Sequence, residues 1–299
     1  MVLDKRYTTI GMVAFIDLLG FSERVKAITK IEHLKSIERD VRRTQAWFDH
    51  RTKDEVLKTS HKLKRKKVLA FSDCLVLTIP AFSELAEHEG DFDVLMEEIP
   101  TIARAQALCV TNGIFLRGGI SFGLWHKRGD RIVSPAMVEA YEAEGAAVVP
   151  MIAIAETMLK HFKEHPHRDF YSKDSDPFRR YFRYYDNLPA PPGETRSAWV
   201  IDYLPLCLGE LDWIPDHADM PAYLAADPET RARIQSEAYD RNVRHAIEVH
   251  RQAIVSAHAA AGVPKVRAKY AWLAHYHDDA VGRFWPGVPS GYLIGALSI

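Results

Sequence analysis

The sequence predicts an α+β fold built on a mostly antiparallel sheet with helices, plus a C-terminal helical extension. Two observations predict it. Apolar, β-rich runs alternate with amphipathic stretches in the order β, α, α, β, β, α, β, β, α, β, and short turns rather than long crossovers join most of the strand pairs. Residues 8 to 16, TTIGMVAFI, read as a strand ending at Asp17, with LLGFS turning into a helix. Leu34, Ile37, Val41 and Phe48 share one face of a helix over residues 31 to 50. VLAFSDCLVLTIP, residues 68 to 80, is a buried hairpin with Ser72 and Asp73 at its bend, and helix follows from Phe92 to Asn112, closed by Gly113. IFLRGGISFGLWHKRGDRIVS supplies two strands joined around Lys127 to Asp130, MVEAYEAEG a short helix stopped by Gly145, and VVPMIAIA another strand. Composition then changes. A polar, aromatic, Pro-rich insertion precedes a late strand at AWVIDYL, and two helices close the chain, one striped by Val243, Ile247, Ile254, Ala257 and Ala261, the other over Val266 to Ala280. The expected division is a core over 1–160, an insertion and late strand completing it over 161–210, and a helical extension over 211–299.

The 299 residues are 47% hydrophobic and 26% charged, which excludes disordered, collagenous and disulfide-scaffold classes. With 39 Lys plus Arg against 40 Asp plus Glu, a net charge of −1 provides no global field for a nucleic-acid backbone. Cys74, Cys109 and Cys207 are odd in number and set among apolar neighbours, so they read as buried free thiols of a reducing compartment. The N-terminus lacks the apolar stretch of a signal peptide and no run is long enough to span a membrane, so a cytoplasmic location is expected.

Two aspartates interrupt runs that otherwise look buried: AFID17LLGF and AFSD73CLVL. An ionised carboxylate in such surroundings is costly unless a cation or several donors compensate it, and oxygen ligands favour Mg²⁺ or Mn²⁺. Each aspartate taken alone reads as an ordinary turn or hairpin-bend residue; the repeated context is what favours a metal. Gly20, Phe21 and Ser22 lead from strand end to helix start, where free N–H groups suit phosphate, although a plain glycine turn with Ser22 as N-cap has the same sequence. Arg117 in FLRGGISFG can clamp a phosphate bidentately or sit on an edge strand, and the two glycines after it let a ligand or another backbone approach.

FIDLLGFS, FSDCLVL and LRGGISFG, followed by a short helix, resemble the class III nucleotidyl cyclase domain in order and approximate spacing, over roughly residues 8 to 155. The resemblance implies a ferredoxin-like core in which Asp17 and Asp73, with the Leu18 carbonyl, hold two divalent ions, Mn²⁺ or Mg²⁺. It implies further that Gly20, Phe21 and Ser22 cradle the triphosphate, that Arg117 touches phosphate, and that Phe15 and Arg131 complete the substrate-binding set. The reaction implied is attack of the ribose 3′-hydroxyl on the α-phosphorus with loss of pyrophosphate, in a homodimer whose active sites are shared. Such chemistry is positioning and charge stabilisation, and no nucleophilic Ser, Cys or His is needed.

The departures are informative. The lysine and aspartate with which adenylyl cyclases read adenine are replaced by Leu69 and, approximately, Arg131, and the dimer-helix asparagine and arginine by Val138 and Glu142. A site without its purine-reading pair selects ATP poorly. With AYEAEG leading to PMIAIAE, the late WVIDYL and the terminal KYAWLAHYHDD, the chain is most similar to the pyrimidine (uridylate or cytidylate) cyclases of bacterial Pycsar antiphage systems. That resemblance implies a cyclic UMP or cyclic CMP messenger acting on a separate effector protein, with no nucleic-acid or membrane partner. Lys127, Arg128 or Arg131 are the expected replacements for the missing donors. A nucleotide sensor without turnover and a purine cyclase are the competing readings. HKLKRKK at 61–67 reads as a solvated lead-in, His161, His165 and His167 as surface residues of a polar loop, and Tyr270, Trp272 and Tyr276 as packing. HYHDD at 275–279 stands alone.

Overall fold

The computed structural model describes residues 8–49, 59, 62–128, 131–190, 194, 196–212 and 220–298. His61, Gly129, Asp130 and Pro191 to Gly193 lie outside the described residues. The chain divides into two compact units, Met1–Tyr203 and Leu204–Ile299. Among the described residues no helix is long and apolar enough to cross a membrane.

The first unit is a mixed α+β layer structure on an eight-stranded sheet in the order β2-β3-β1-β4-β6-β8-β7, with β5 paired to β4. The strands are β1 (Thr8–Leu18), β2 (Lys67–Phe71), β3 (Cys74–Pro80), β4 (Leu116–Arg128), β5 (Arg131–Val133), β6 (Ile152–Ile154), β7 (Phe182–Leu188) and β8 (Arg196–Ile201). Every pairing is antiparallel except β4 with β6. β1 is central because its residues 11 to 14 and 16 are apolar or small and can be buried on both faces; Met12, Val13, Ala14 and Ile16 are essentially inaccessible, each large one contributing about 1.5–3 kcal/mol. The helices are α1 (Phe21–Lys26), α2 (Ile31–Asp49), α3 (Glu84–Glu89), α4 (Asp91–Met96), α5 (Glu98–Thr111), α6 (Pro135–Ala147), α7 (Glu156–Glu164) and α8 (Pro177–Tyr181).

Residues paired across an antiparallel ladder face the same side. Asp17, Cys74 and Arg117 are therefore one row, followed by Phe15, Val76 and Gly119. α6 lies on this face: a Cβ on Gly119 would sit 2.0 Å from the Ala140 carbonyl oxygen and 2.9 Å from Ala143 Cβ, and Ser121 Oγ donates to the Ala136 carbonyl. The glycine after Arg117 thus admits the chain's own helix. A methyl there has only helix backbone to displace, so Gly119→Ala is expected to lose about 2–3 kcal/mol of stability in urea unfolding. α7 lies on the opposite face, where His161 stacks on Phe122.

Four expectations need correction. The helix expected over Phe92–Asn112 is two helices, α4 and α5, because Pro100 lacks an N–H and its ring crowds the carbonyl four residues back. α6 runs through Gly145 to Ala147 and ends at Val148, whose φ is 62°. The strand expected at 148–155 is only Ile152–Ile154. The segment after residue 160 is not irregular: it continues α7, adds α8, and forms β7, an edge strand whose bulge between Tyr185 and Leu188 hides its alternation. Of the three thiols, none in a disulfide, Cys109 is buried while Cys74 and Cys207 are half-buried.

In the second unit, α9 (Tyr203–Gly209, which begins at the boundary), α10 (Met220–Ala225), α11 (Pro228–Ala260) and α12 (Pro264–Phe284) follow in order. Val243, Ile247, His250 and Ile254 of α11 form the buried stripe. His250 and His277 share an Nδ1 to Nδ1 hydrogen bond of 2.8 Å, and Asp278 accepts the backbone N–H groups of Ile294 and Gly295. The HYHDD segment is thereby committed to packing, as is Tyr276, whose hydroxyl accepts from the Leu204 N–H.

Candidate active site

Three strands meet at one end of the sheet to build the site. Asp17 is the last but one residue of β1, opposite Cys74 on one side and Arg117 on the other. Asp73 stands in the two-residue turn between β2 and β3, with Ser72 in the left-handed region at φ 57°. The Leu18 N–H donates to the Asp73 carbonyl at 3.1 Å, which fixes the turn against the end of β1. One ligand atom each from Asp17, Asp73 and Cys74 then lies within 4.8 Å of the others. The two carboxylates that the sequence singles out, 56 residues apart, are brought together on one face.

Their electrostatics are those of an anionic pair short of positive charge. Burial holds the Asp17 carboxyl above its ordinary 3.8, the Asp73 charge pushes it the same way, and Arg117 and the Cys74 thiol only partly oppose them. Burial, Asp73 and then Asp17 push the Cys74 thiol up to about 12, so it stays protonated and its Sγ faces an oxygen of each carboxylate at 3.7 Å. A divalent cation would supply what the pair lacks. The donor set of carboxylate oxygens beside a protonated thiol fits a hard ion such as Mg²⁺ or Mn²⁺ and not a thiolate-seeking one.

Arg117 is engaged by the protein itself. Its NH2 nitrogen lies 3.6 Å from Asp17 Oδ2, and its Nε meets Glu144 Oε1 of α6 in close contact. Glu144 is 3% exposed, a buried carboxylate beside this guanidinium. No sequence signal marked Glu144, because it lies on a helix surface that reads as polar until Gly119 lets that helix down onto the sheet.

Gly20 caps α1 at φ 79°, a left-handed conformation that a side chain would strain, and Phe21 and Ser22 occupy the first turn, so Ser22 is inside the helix and not its cap. Phe15 is on the Asp17 face, edge-on to Tyr141 at 5.4 Å. Leu69 pairs with Val76 on that face too. Arg131 is not brought to the carboxylates within one chain. It pairs with Arg128, eleven residues along β4 from Arg117, about 35 Å away at the rise of a strand. His161 and His165 also require correction: His161 belongs to α7 with its side chain only 11% exposed, His165 closes that helix, and both face Asp91.

No family model matches the chain, and no curated protein does. Among solved structures, the catalytic core of a rhodopsin-guanylyl cyclase with converted specificity, in complex with ATPαS, is similar at 11% identity with a TM-score of 0.41, over 65% of this chain and 96% of that one. The adenylyl cyclase CyaB from P. aeruginosa is similar at 13% identity and a TM-score of 0.39, over 65% and 94% of the two chains. The guanylate cyclase domain of RhGC from Catenaria anguillulae, in complex with GTP, is similar at 10% and 0.39, over 65% and 96%. The functional reading rests on this chain's own residues.

Proposed function

We propose that this chain is a nucleotidyl cyclase that converts UTP or CTP to the 3′,5′-cyclic nucleotide and pyrophosphate. The observation that carries the proposal is the convergence of Asp17 and Asp73 at a strand end, with too little positive charge to balance them. These two carboxylates, with the Leu18 carbonyl, would hold two divalent ions. Bound there, the ions would lower the pKa of the ribose 3′-hydroxyl and neutralise the triphosphate. The free N–H groups of Gly20, Phe21 and Ser22 take phosphate oxygens. Arg117, held by Glu144, fixes the orientation of Asp17 and adds positive charge beside the triphosphate, and Phe15 forms an apolar wall.

The choice of base follows from what is missing. Leu69 presents no hydrogen-bonding group where a lysine would read a purine, and a pocket without polar partners does not discriminate for adenine. The motif resemblance to Pycsar cyclases supports a pyrimidine, and with it a messenger role in antiphage defence through a separate effector.

One copy supplies an incomplete site, and a second copy completes it. Val138 and Tyr141 on α6 are 55% and 59% exposed, an apolar surface beside Phe15. Lys67 and Lys127 lie on the Asp17 face at its other end. Burial lowers the Lys67 pKa, and the nearby Lys127 and Arg65 charges lower it further, so two more cations stand near Lys67 at this end. A head-to-tail pair sets the basic end of one copy, including Arg131, over the acidic end of its partner.

The test is to incubate the purified protein with each of the four NTPs and Mn²⁺ and to identify products by mass spectrometry. Cyclic UMP or cyclic CMP with stoichiometric pyrophosphate is expected. Cyclic AMP or cyclic GMP alone would make it a purine cyclase. No cyclic product, with nucleotide still bound, would make it a sensor, a reading favoured by the Val138 and Glu142 replacements.

A further inference from the structure

Beyond the opposite face of the sheet, three side chains from two distant segments meet. His161 and His165 are four residues apart at the end of α7 and so share one side of that helix. Asp91, the first residue of α4, faces both. Its Oδ1 is 3.2 Å from His165 Nε2 and its Oδ2 is 3.9 Å from His161 Nε2, and one ligand atom from each residue lies within 4.8 Å of the others.

The geometry is that of a site, not of an incidental cluster. His161 Nε2 is buried and has no hydrogen-bond partner, an arrangement that leaves a polar atom unsatisfied unless something binds it. That nitrogen faces Asp91, so it is the ring atom placed to bind an ion. Both rings are held by aromatic packing: His161 stacks on Phe122 at 4.0 Å and His165 on Phe92 at 5.2 Å. The neighbouring Asp93 is already engaged, accepting from the Tyr171 hydroxyl at 2.6 Å and lying 3.8 Å from His167 Nδ1.

We infer that Asp91, His161 and His165 form a second divalent-cation site, for a borderline transition metal of the Zn²⁺ type, distinct from the hard-cation pair at Asp17 and Asp73. Two imidazole nitrogens and one carboxylate suit Zn²⁺ and leave a position for water. The bound ion would tie α4 to α7, which also meet through Phe92 against Phe162 and His165. Proton balance is specific. His165 Nδ1 accepts the His167 N–H at 3.2 Å. An ion at Nε2 would require the ring proton on Nδ1 and would so release the His167 amide. The inference does not depend on cyclase activity.

The experiment is Zn²⁺ titration by calorimetry of the chelator-stripped full chain in excess Mg²⁺, repeated with His161→Ala, His165→Ala and Asp17→Asn. One equivalent bound to the wild type is expected, together with a changed His167 amide signal. Affinity should weaken about tenfold or more in each histidine variant and stay unchanged in Asp17→Asn. Co²⁺ should give visible absorption in the wild type and lose it in the variants. His165→Ala, away from the Phe122 stack, carries the comparison if His161→Ala does not fold. Absence of stoichiometric binding by the folded wild type, or binding that survives both histidine variants or disappears in Asp17→Asn, overturns the inference. Loss of cyclase activity with Zn²⁺ binding intact sinks only the functional reading.

Discussion

Asp17→Asn and Asp73→Asn are each expected to lower cyclic-nucleotide formation about a thousandfold or more, since each removes a metal-holding charge from a step that consists of charge stabilisation. Asp17→Asn is also expected to be no less stable than the wild type without divalent metal. The sign follows from linkage. Burial and Asp73 raise the folded-state pKa of Asp17 above its unfolded value, so the folded protein binds more protons between the two, and stability falls as pH rises through that window. Above it, the ionised Asp17 is a standing cost that asparagine removes. Thermal melts at pH 7 in chelator should therefore place Asp17→Asn at or above the wild type. Added Mn²⁺ should reverse the order, because only the wild type gains from binding. A variant that is inactive and also markedly less stable in chelator would make Asp17 a structural residue.

The largest effect on stability belongs to Arg117→Ala. It removes the guanidinium beside a carboxylate that is 3% exposed, and breaking a buried pair from one side costs about 3–5 kcal/mol. The remedy identifies the cause: with Glu144→Gln added, the buried charge is gone and most of the loss should return. Glu144→Gln alone should be mild, because Arg117 is 24% exposed and keeps Asp17 at 3.6 Å. Urea unfolding of both single variants and the double variant closes the cycle. Additive losses would show that Glu144 and Arg117 are not coupled.

The strands that carry the site were legible because their signals are local. An apolar run that stops at a carboxylate marks Asp17, and a two-residue bend within a continuous apolar run rich in β formers marks Asp73. That both carboxylates would be brought together on one face required only that β3 pair with β1. What stayed hidden was long-range. Glu144 becomes a buried ion-pair partner only because Gly119 admits α6 to van der Waals distance. Asp91 lies far upstream of the histidine pair it faces, so spacing within HFKEHPH could not reveal it. β7 was hidden because an edge strand with a bulge loses the period of two. Fold-setting elements announce themselves by periodicity, whereas charges that compensate one another across the sheet do not.

A crystal structure grown with Mn²⁺ and a non-cleavable UTP analogue tests the central claim most directly. Anomalous scattering should place manganese within about 2.2 Å of carboxylate oxygens of both Asp17 and Asp73, with the triphosphate against Gly20 to Ser22. Manganese absent from this pair, or nucleotide seated elsewhere on the chain, would contradict it.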